Sequence, residues 1–326
     1  MLGKPEAIEK MNRLGHQRRP FLFVISFDQN MNLVLEPPEI EAAGIRFQLD
    51  RNSNIQGAER SALPEPIIFE KEPISFERYH TCFTMVQEHL HHGNTYLANI
   101  TFPTPVKTNL SFEQIFYHAH APFKLFIPGR LVVFSPERFV RADRRFIRSY
   151  PMKGTIDAGI ADARNKILKD PKETAEHFTI VDLIRNDLNL VSRRVEVRSF
   201  RYVDRIRTHG RELLQISSEI AGRLDKDFFN QLGSHIFKLL PAGSISGAPK
   251  QKTLEIIRLT EPFERGFFTG IFGHFSGTKL DSAVMIRFIE MLDGQTIYKS
   301  GGGITAWSRA ESEYQELIDK IYVPIH

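Results

Sequence analysis

Between residues 123 and 151 four β-forming runs follow one another at short spacing: KLFIP, RLVVFSP, RFVRAD and RFIRSYP. Connections this short leave no room for the helical crossover that parallel strands require, so the runs read as an antiparallel meander. Further strands are expected at 21–27, 32–36, 45–49, 95–102, 194–200, 212–222, 267–276, 282–292 and 295–300. Helices are expected from Ser75, as a cap, through His92 to a stop at Gly93, over 157–190 with a break near Pro171, and over 225–240, 248–259 and 309–322. The first twenty residues read as loosely held or helical, and 51–66, with Pro64 and Pro66, as a surface loop. Strand groups separated by helix groups argue for α+β with antiparallel sheets rather than a doubly wound parallel sheet. No linker is visible within 70–326, so residues 1–326 read as one catalytic domain whose N-terminal part, about 1–70, is short.

Composition narrows the function classes. A net charge of +4 on 326 residues suits an anionic small molecule and is too weak to argue for nucleic acid. No apolar run reaches the roughly 20 residues of a membrane span. A single cysteine, Cys82, excludes an internal disulfide framework and fits a reducing cytoplasm, the expected location. Its surroundings, YHTCFTM on an expected helix, are not those of a nucleophile elbow.

The chemistry lies in a few short motifs. Glu173 and Glu176 in KETAEH, and Glu313 and Glu316 in ESEYQE, are two acidic pairs of identical spacing on expected helices. A spacing of three puts both carboxylates of a pair on one helix face. Four carboxylates in one cleft repel unless a cation stands between them, and oxygen-only donors favour a hard ion such as Mg²⁺. PMKGT (151–155) can aim Lys153 into a cavity, to neutralise an anion or act as a nucleophile, because Pro151 stiffens the backbone and Gly154 permits close approach. SISGAPK (244–250) is a small-residue loop before a helix, and SGGG (300–303) reads as a second loop whose backbone can meet a carboxylate. Arg287, in an apolar strand, needs a partner or a solvent-facing position. Lys320, four residues after Glu316, is either its helix-surface partner or a substrate contact.

In order, PMKGT, EHFTIVDLIRNDL, SISGAPKQKTLEII, GIFGHFS and SGGGITAWSRAESEYQELIDK resemble the chorismate-utilising enzymes over roughly 75–322. The resemblance implies two large antiparallel sheets packed face to face with helices outside, an Mg²⁺ ion, and a chorismate substrate. It maps metal ligation onto Glu176 and Glu316, with Glu173 and Glu313 as second acidic positions. Substrate contacts map onto Thr155, Ser246, Gly247, Arg287, Gly301, Gly302, Gly303 and Lys320. Lysine at position 153 favours the branch that aminates chorismate at C4, with Lys153 bonding covalently at C2 and ammonia entering from a separate glutamine amidotransferase subunit. Anthranilate synthesis and a catalytically weak chorismate-binding protein are the alternatives. Three positions depart from the family pattern: Gln215 replaces a histidine, Phe268 a tyrosine, and Leu97 a glutamine or lysine. Without a lysine at 97 to activate water, isochorismate synthesis is disfavoured.

Overall fold

The computed structural model describes residues 1–55, 61–208 and 211–325. Two nine-stranded sheets form the body, and every strand pair among the described residues is antiparallel. The first sheet runs, by strand, Met152–Asp157, Arg211–Arg223, Phe146–Ser149, Arg138–Ala142, Leu280–Val284, Ile271–Phe275, Phe21–Ile25 and Asn32–Leu35, with Arg193–Thr208 also on Arg211–Arg223. The second contains Leu97–Thr108, Gln295–Ile304, Phe288–Leu292, Leu131–Ser135, Phe123–Ile127 and Arg46–Leu49 as its central path.

The sheets face each other through an apolar layer. Leu22, Val24 and Phe272 of the first meet Phe47, Leu125 and Phe288 of the second. On its other face the first sheet packs against helices Lys4–His16, Pro171–Asn189 and Leu232–Leu239, burying Met11, Ile180, Leu188 and Ile236. Each fully buried side chain of this size contributes roughly 1.5–3 kcal/mol, so the sandwich and its helices are held chiefly by apolar burial. Among the described residues no helix is long and apolar enough to cross a membrane.

The expected elements correspond closely, with informative differences. Ser75 caps the Phe76–His91 helix by accepting from Arg78 N, and Gly93 follows at φ +71°. The helical block breaks at Asp170, whose side chain caps the Pro171–Asn189 helix. The first twenty residues contain an ordered helix, Lys4–His16. Part of the expected 51–66 loop, residues 56–60, lies outside the described residues. SGGG is not a loop: Gly301, Gly302 and Gly303 lie within the Gln295–Ile304 strand, opposite Thr101, Ile100 and Asn99.

The meander over 123–151 is not one meander. Phe123–Ile127 and Leu131–Ser135 belong to the second sheet, Arg138–Ala142 and Phe146–Ser149 to the first. The chain changes sheets at Pro136 and Glu137. The expected strand at 282–292 also splits, into Leu280–Val284 of the first sheet and Phe288–Leu292 of the second. At this second switch Arg287 sits at φ +54°, a left-handed conformation that costs a side-chain-bearing residue roughly 1–2 kcal/mol. The two switches run side by side: Val284 N donates to Glu137 O at 3.1 Å and Phe134 N to Arg287 O at 3.0 Å. Strand alternation does not carry across a change of sheet, so the sequence pattern does not fix where these two side chains point.

Candidate active site

Where the chain changes sheets, both sheets and two helices border a cavity of about 500 Å³. One wall is the Pro171–Asn189 helix, which presents Glu173 and Glu176; the Ala310–Asp319 helix adds Glu313 and Glu316. The four carboxylates, 140 residues apart as pairs, therefore open onto one cavity. Lys153, Gly154 and Thr155 enter from the Met152–Asp157 strand, Arg287 from the sheet switch, and Lys320 from the residue after the C-terminal helix. Gly301, Gly302 and Gly303 complete the sequence-expected set that lines it.

The local chain explains how Lys153 is aimed. Lys153 lies opposite Ile216 and Thr155 opposite Gln215, with the register broken by a bulge at Gly154. Gly154 holds φ +76°, and a Cβ there would lie 3.0 Å from Glu173 Oε2. A bulge re-aims the neighbouring side chain. Lys153 Nζ accordingly reaches Glu176 Oε2 at 3.6 Å. At the opposite wall Lys320 Nζ pairs with Glu316 Oε1 at 2.6 Å and donates to Gly301 O at 3.0 Å. Lys320 is thus the helix-surface partner of Glu316, and it also lines the cavity. Glu313 is buried and accepts from Ser308 Oγ at 2.7 Å.

Ser246 and Gly247 do not line the cavity. Ser246 is fully buried and donates to Ala242 O at 2.9 Å. Gly247 pairs with Ala98, where a Cβ would meet Leu97 O at 1.9 Å. Their role in this chain is to let residues 247–248 pack directly on the Leu97–Thr108 strand. Within this loop the serine that lines the cavity is Ser244, two residues earlier.

Ser244 leads to a residue that sequence reasoning missed. Its Oγ donates to Glu137 Oε1 at 2.6 Å, and Glu137 lines the cavity at the first sheet switch. Burial pushes the Glu137 carboxyl above its ordinary range, and outweighs the opposing pull of Ser244, Lys153, Arg287 and Lys320. Among the cavity carboxyls, Glu137 is thus one whose proton affinity burial raises. The available signal was an acid directly after a proline between two strand runs, in SPERF.

Gln215 and Phe268 both border the cavity, whereas Leu97 packs beside Gly303 without lining it. The buried histidine nearest in sequence to the carboxylates, His177, does not replace the histidine absent at 215. Its Nε2 is 2.7 Å from Ser218 Oγ behind the wall. Burial, with Arg201 and Lys153, lowers it to about 4, so it is neutral at pH 7. Cys82 bonds Thr260 O at 3.5 Å and burial pushes its thiol up, the opposite of an activated nucleophile.

Glu173, Glu176, Glu313 and Glu316 bring carboxylate oxygens to the cavity lining, a donor kind that suits a hard divalent ion. Among the described residues, no three His, Cys, Asp or Glu side chains are gathered as closely as a formed metal site requires. Glu176 and Glu316 instead meet Lys153 and Lys320. The carboxylate donors suit an Mg²⁺ ion in kind.

The sequence matches the family model described as chorismate binding enzyme over residues 21–326. A Haemophilus influenzae protein named "uncharacterized PabA-like protein" is 48% identical over 320 residues, covering 98% of this chain and 96% of that protein. Aminodeoxychorismate synthase component 1 of Escherichia coli is 32% identical over 265 residues, 75% of this chain and 56% of that longer protein. Among solved structures, MenF, the menaquinone-specific isochorismate synthase of Escherichia coli, superposes with a TM-score of 0.75 at 16% identity, covering 98% of this chain and 81% of that one.

Proposed function

The chain belongs to the chorismate binding enzyme family, and from that premise we propose that it aminates chorismate at C4 to give 4-amino-4-deoxychorismate. The observation that carries this reading is Lys153, whose amine enters the cavity 3.6 Å from Glu176. An allylic hydroxyl is a poor leaving group, and covalent catalysis splits one hard substitution into two easier ones. The Lys153 amine bonds to C2 while the ring π electrons shift and the C4–O bond breaks. The carboxyl proton of Glu137 departs with the hydroxyl as water. Ammonia then bonds at C4, the electrons shift back, the C2–nitrogen bond breaks to release Lys153 as a neutral amine, and the C4 ammonium returns a proton to the Glu137 carboxylate. Glu137 thereby supplies the acid chemistry that Gln215 cannot.

Arg287, Lys320 and the open edge at Gly301–Gly303 bind and orient the two substrate carboxylates. We place Mg²⁺ at Glu176 and Glu316, with Glu173 and Glu313 as further, water-bridged acidic partners. Bound there, the ion offsets the charge of a substrate carboxylate. The name of the Escherichia coli relative, a component 1, supports a second subunit, and we assign ammonia supply to a glutamine amidotransferase.

Incubation of the purified chain with chorismate, Mg²⁺ and ammonium, followed by mass analysis, tests the assignment. Aminodeoxychorismate is the expected product. Anthranilate with released pyruvate, isochorismate, or unchanged chorismate each overturns it.

A further inference from the structure

Behind the cavity lies a buried arginine that lines none of it. Arg265 is 2% exposed and uses all five of its N–H donors. Nε and Nη2 donate to the two Glu261 oxygens at 2.8 and 2.6 Å. Nη1 donates to Ile245 O at 3.1 Å and to Thr269 Oγ1 at 3.3 Å. Nη2 also donates to Asn99 O at 2.6 Å. The guanidinium lies over the Phe27 ring, 4.4 Å from its centroid. Glu261 in turn accepts from Thr101 N at 2.8 Å and Thr101 Oγ1 at 3.1 Å.

These bonds join two walls of the cavity. Asn99 lies on the Leu97–Thr108 strand and borders the cavity; Ile245 also borders it and directly follows Ser244, the residue bonded to Glu137. A buried ion pair is an inefficient way to gain stability, since a well-packed apolar pair of the same volume is often as good. What it can do that apolar side chains cannot is fix two backbone carbonyls at set distances from one rigid fork.

We infer that Arg265 is a positioning residue, which sets Ser244, and through Ser244 the Glu137 carboxyl, against the Asn99 wall of the cavity. The inference rests on the amination reading, in which Glu137 delivers the proton. Its chemistry points to one consequence: loss of the fork and loss of the Ser244 hydroxyl damage the same step. A lysine at 265 keeps the charge but has three donors on a flexible stem, too few for five bonds.

The test is a double-mutant cycle with ammonium as nitrogen source. Arg265→Lys and Ser244→Ala are each expected to lower kcat by at least about tenfold while leaving the KM for chorismate within about twofold. The double variant is expected to be no slower than the slower single variant. Multiplied losses in the double variant, an unchanged kcat in Arg265→Lys, or equal effects on kcat and KM overturn the clamp. If Arg265→Lys does not fold, as judged by its thermal transition, Glu261→Gln takes its place in the cycle. It weakens the pairing yet keeps an acceptor for Thr101 N, and additivity with Ser244→Ala is again the overturning result. Wild-type protein that forms no aminated product sinks the amination reading and takes the clamp with it; wild-type product with an additive cycle sinks the clamp alone.

Discussion

Lys153 Nζ stands 3.6 Å from Glu176 Oε2, across a cavity edge that joins a bulged strand to a long helix. Both groups are partly open to solvent, so this contact is worth little to the fold. Lys153→Ala is therefore expected to change stability by less than about 0.5 kcal/mol. It is expected to lower aminodeoxychorismate formation at least 100-fold, because the covalent path is gone. Chorismate binding, followed by calorimetry, should persist. Unchanged product formation removes Lys153 from the mechanism.

Glu137→Gln separates proton delivery from geometry. Glutamine retains an oxygen to accept from Ser244, so the thermal transition should stay close to that of the wild type. The loss of the acid should lower kcat by about 10²–10⁴. Single-turnover measurements should show that loss of the C4 hydroxyl has slowed, and a kcat within a factor of two of wild type contradicts the assigned role.

Gly154→Ala probes the bulge. The new Cβ meets Glu173 Oε2 at 3.0 Å, and the residue keeps a φ of +76° that alanine resists. The cost should be about 1–2 kcal/mol in chemical denaturation. A larger effect on activity than on folding is expected, because the bulge aims Lys153. A neutral result in both assays shows that the bulge has no such task.

The proposed Mg²⁺ ion is tested by its removal. Chelation by EDTA should abolish product formation, and added Mg²⁺ should restore it. Glu316→Gln should raise the Mg²⁺ concentration needed for half-maximal activity by tenfold or more. Full activity in the presence of EDTA rules the ion out.

Asp281 gives the fold a defined pH dependence. Burial raises its carboxyl to about 6, against the opposing pull of Arg138 and Arg141. Its folded value exceeds its unfolded one, so between about pH 4 and pH 6 the folded state binds the extra proton. Stability from this group falls as pH rises through that window. Asp281→Asn, measured by denaturant unfolding, should gain on the wild type by about 1–3 kcal/mol between pH 4 and pH 7. A gap between the two proteins that does not vary with pH contradicts the assignment.

Much of this site was legible from local chemistry. The three-residue spacing fixed that Glu173 shares a helix face with Glu176, and Glu313 with Glu316, and both pairs do face the cavity. Gly154 beside Lys153 announced a special backbone, and Ser75, Gly93 and Pro171 punctuated helices as their chemistry requires. Arg265 was not legible, because nothing in its neighbours marks it, while Glu137 after Pro136 and Ser244 in SISGAPK stood in visible motifs that did not show which side chain faces the cavity. Ser246 looked like the wall hydroxyl, yet helix and strand contacts around Gly247 turn it inward, and Ser244 takes that place.

The sequence by itself determined most of the element types, the antiparallel character of the sheets and the chemical kinds present: carboxylate pairs, an amine, small-residue backbone. These follow from periodicity, capping and turn geometry, which act over a few residues. Only the tertiary structure decided that the chain changes sheets at 136–137 and again at 285–287, side by side, and so which side chains meet. That choice is made by burying two sheet faces against each other and against helices. It is an apolar packing energy summed over the whole chain, and no local stretch encodes it.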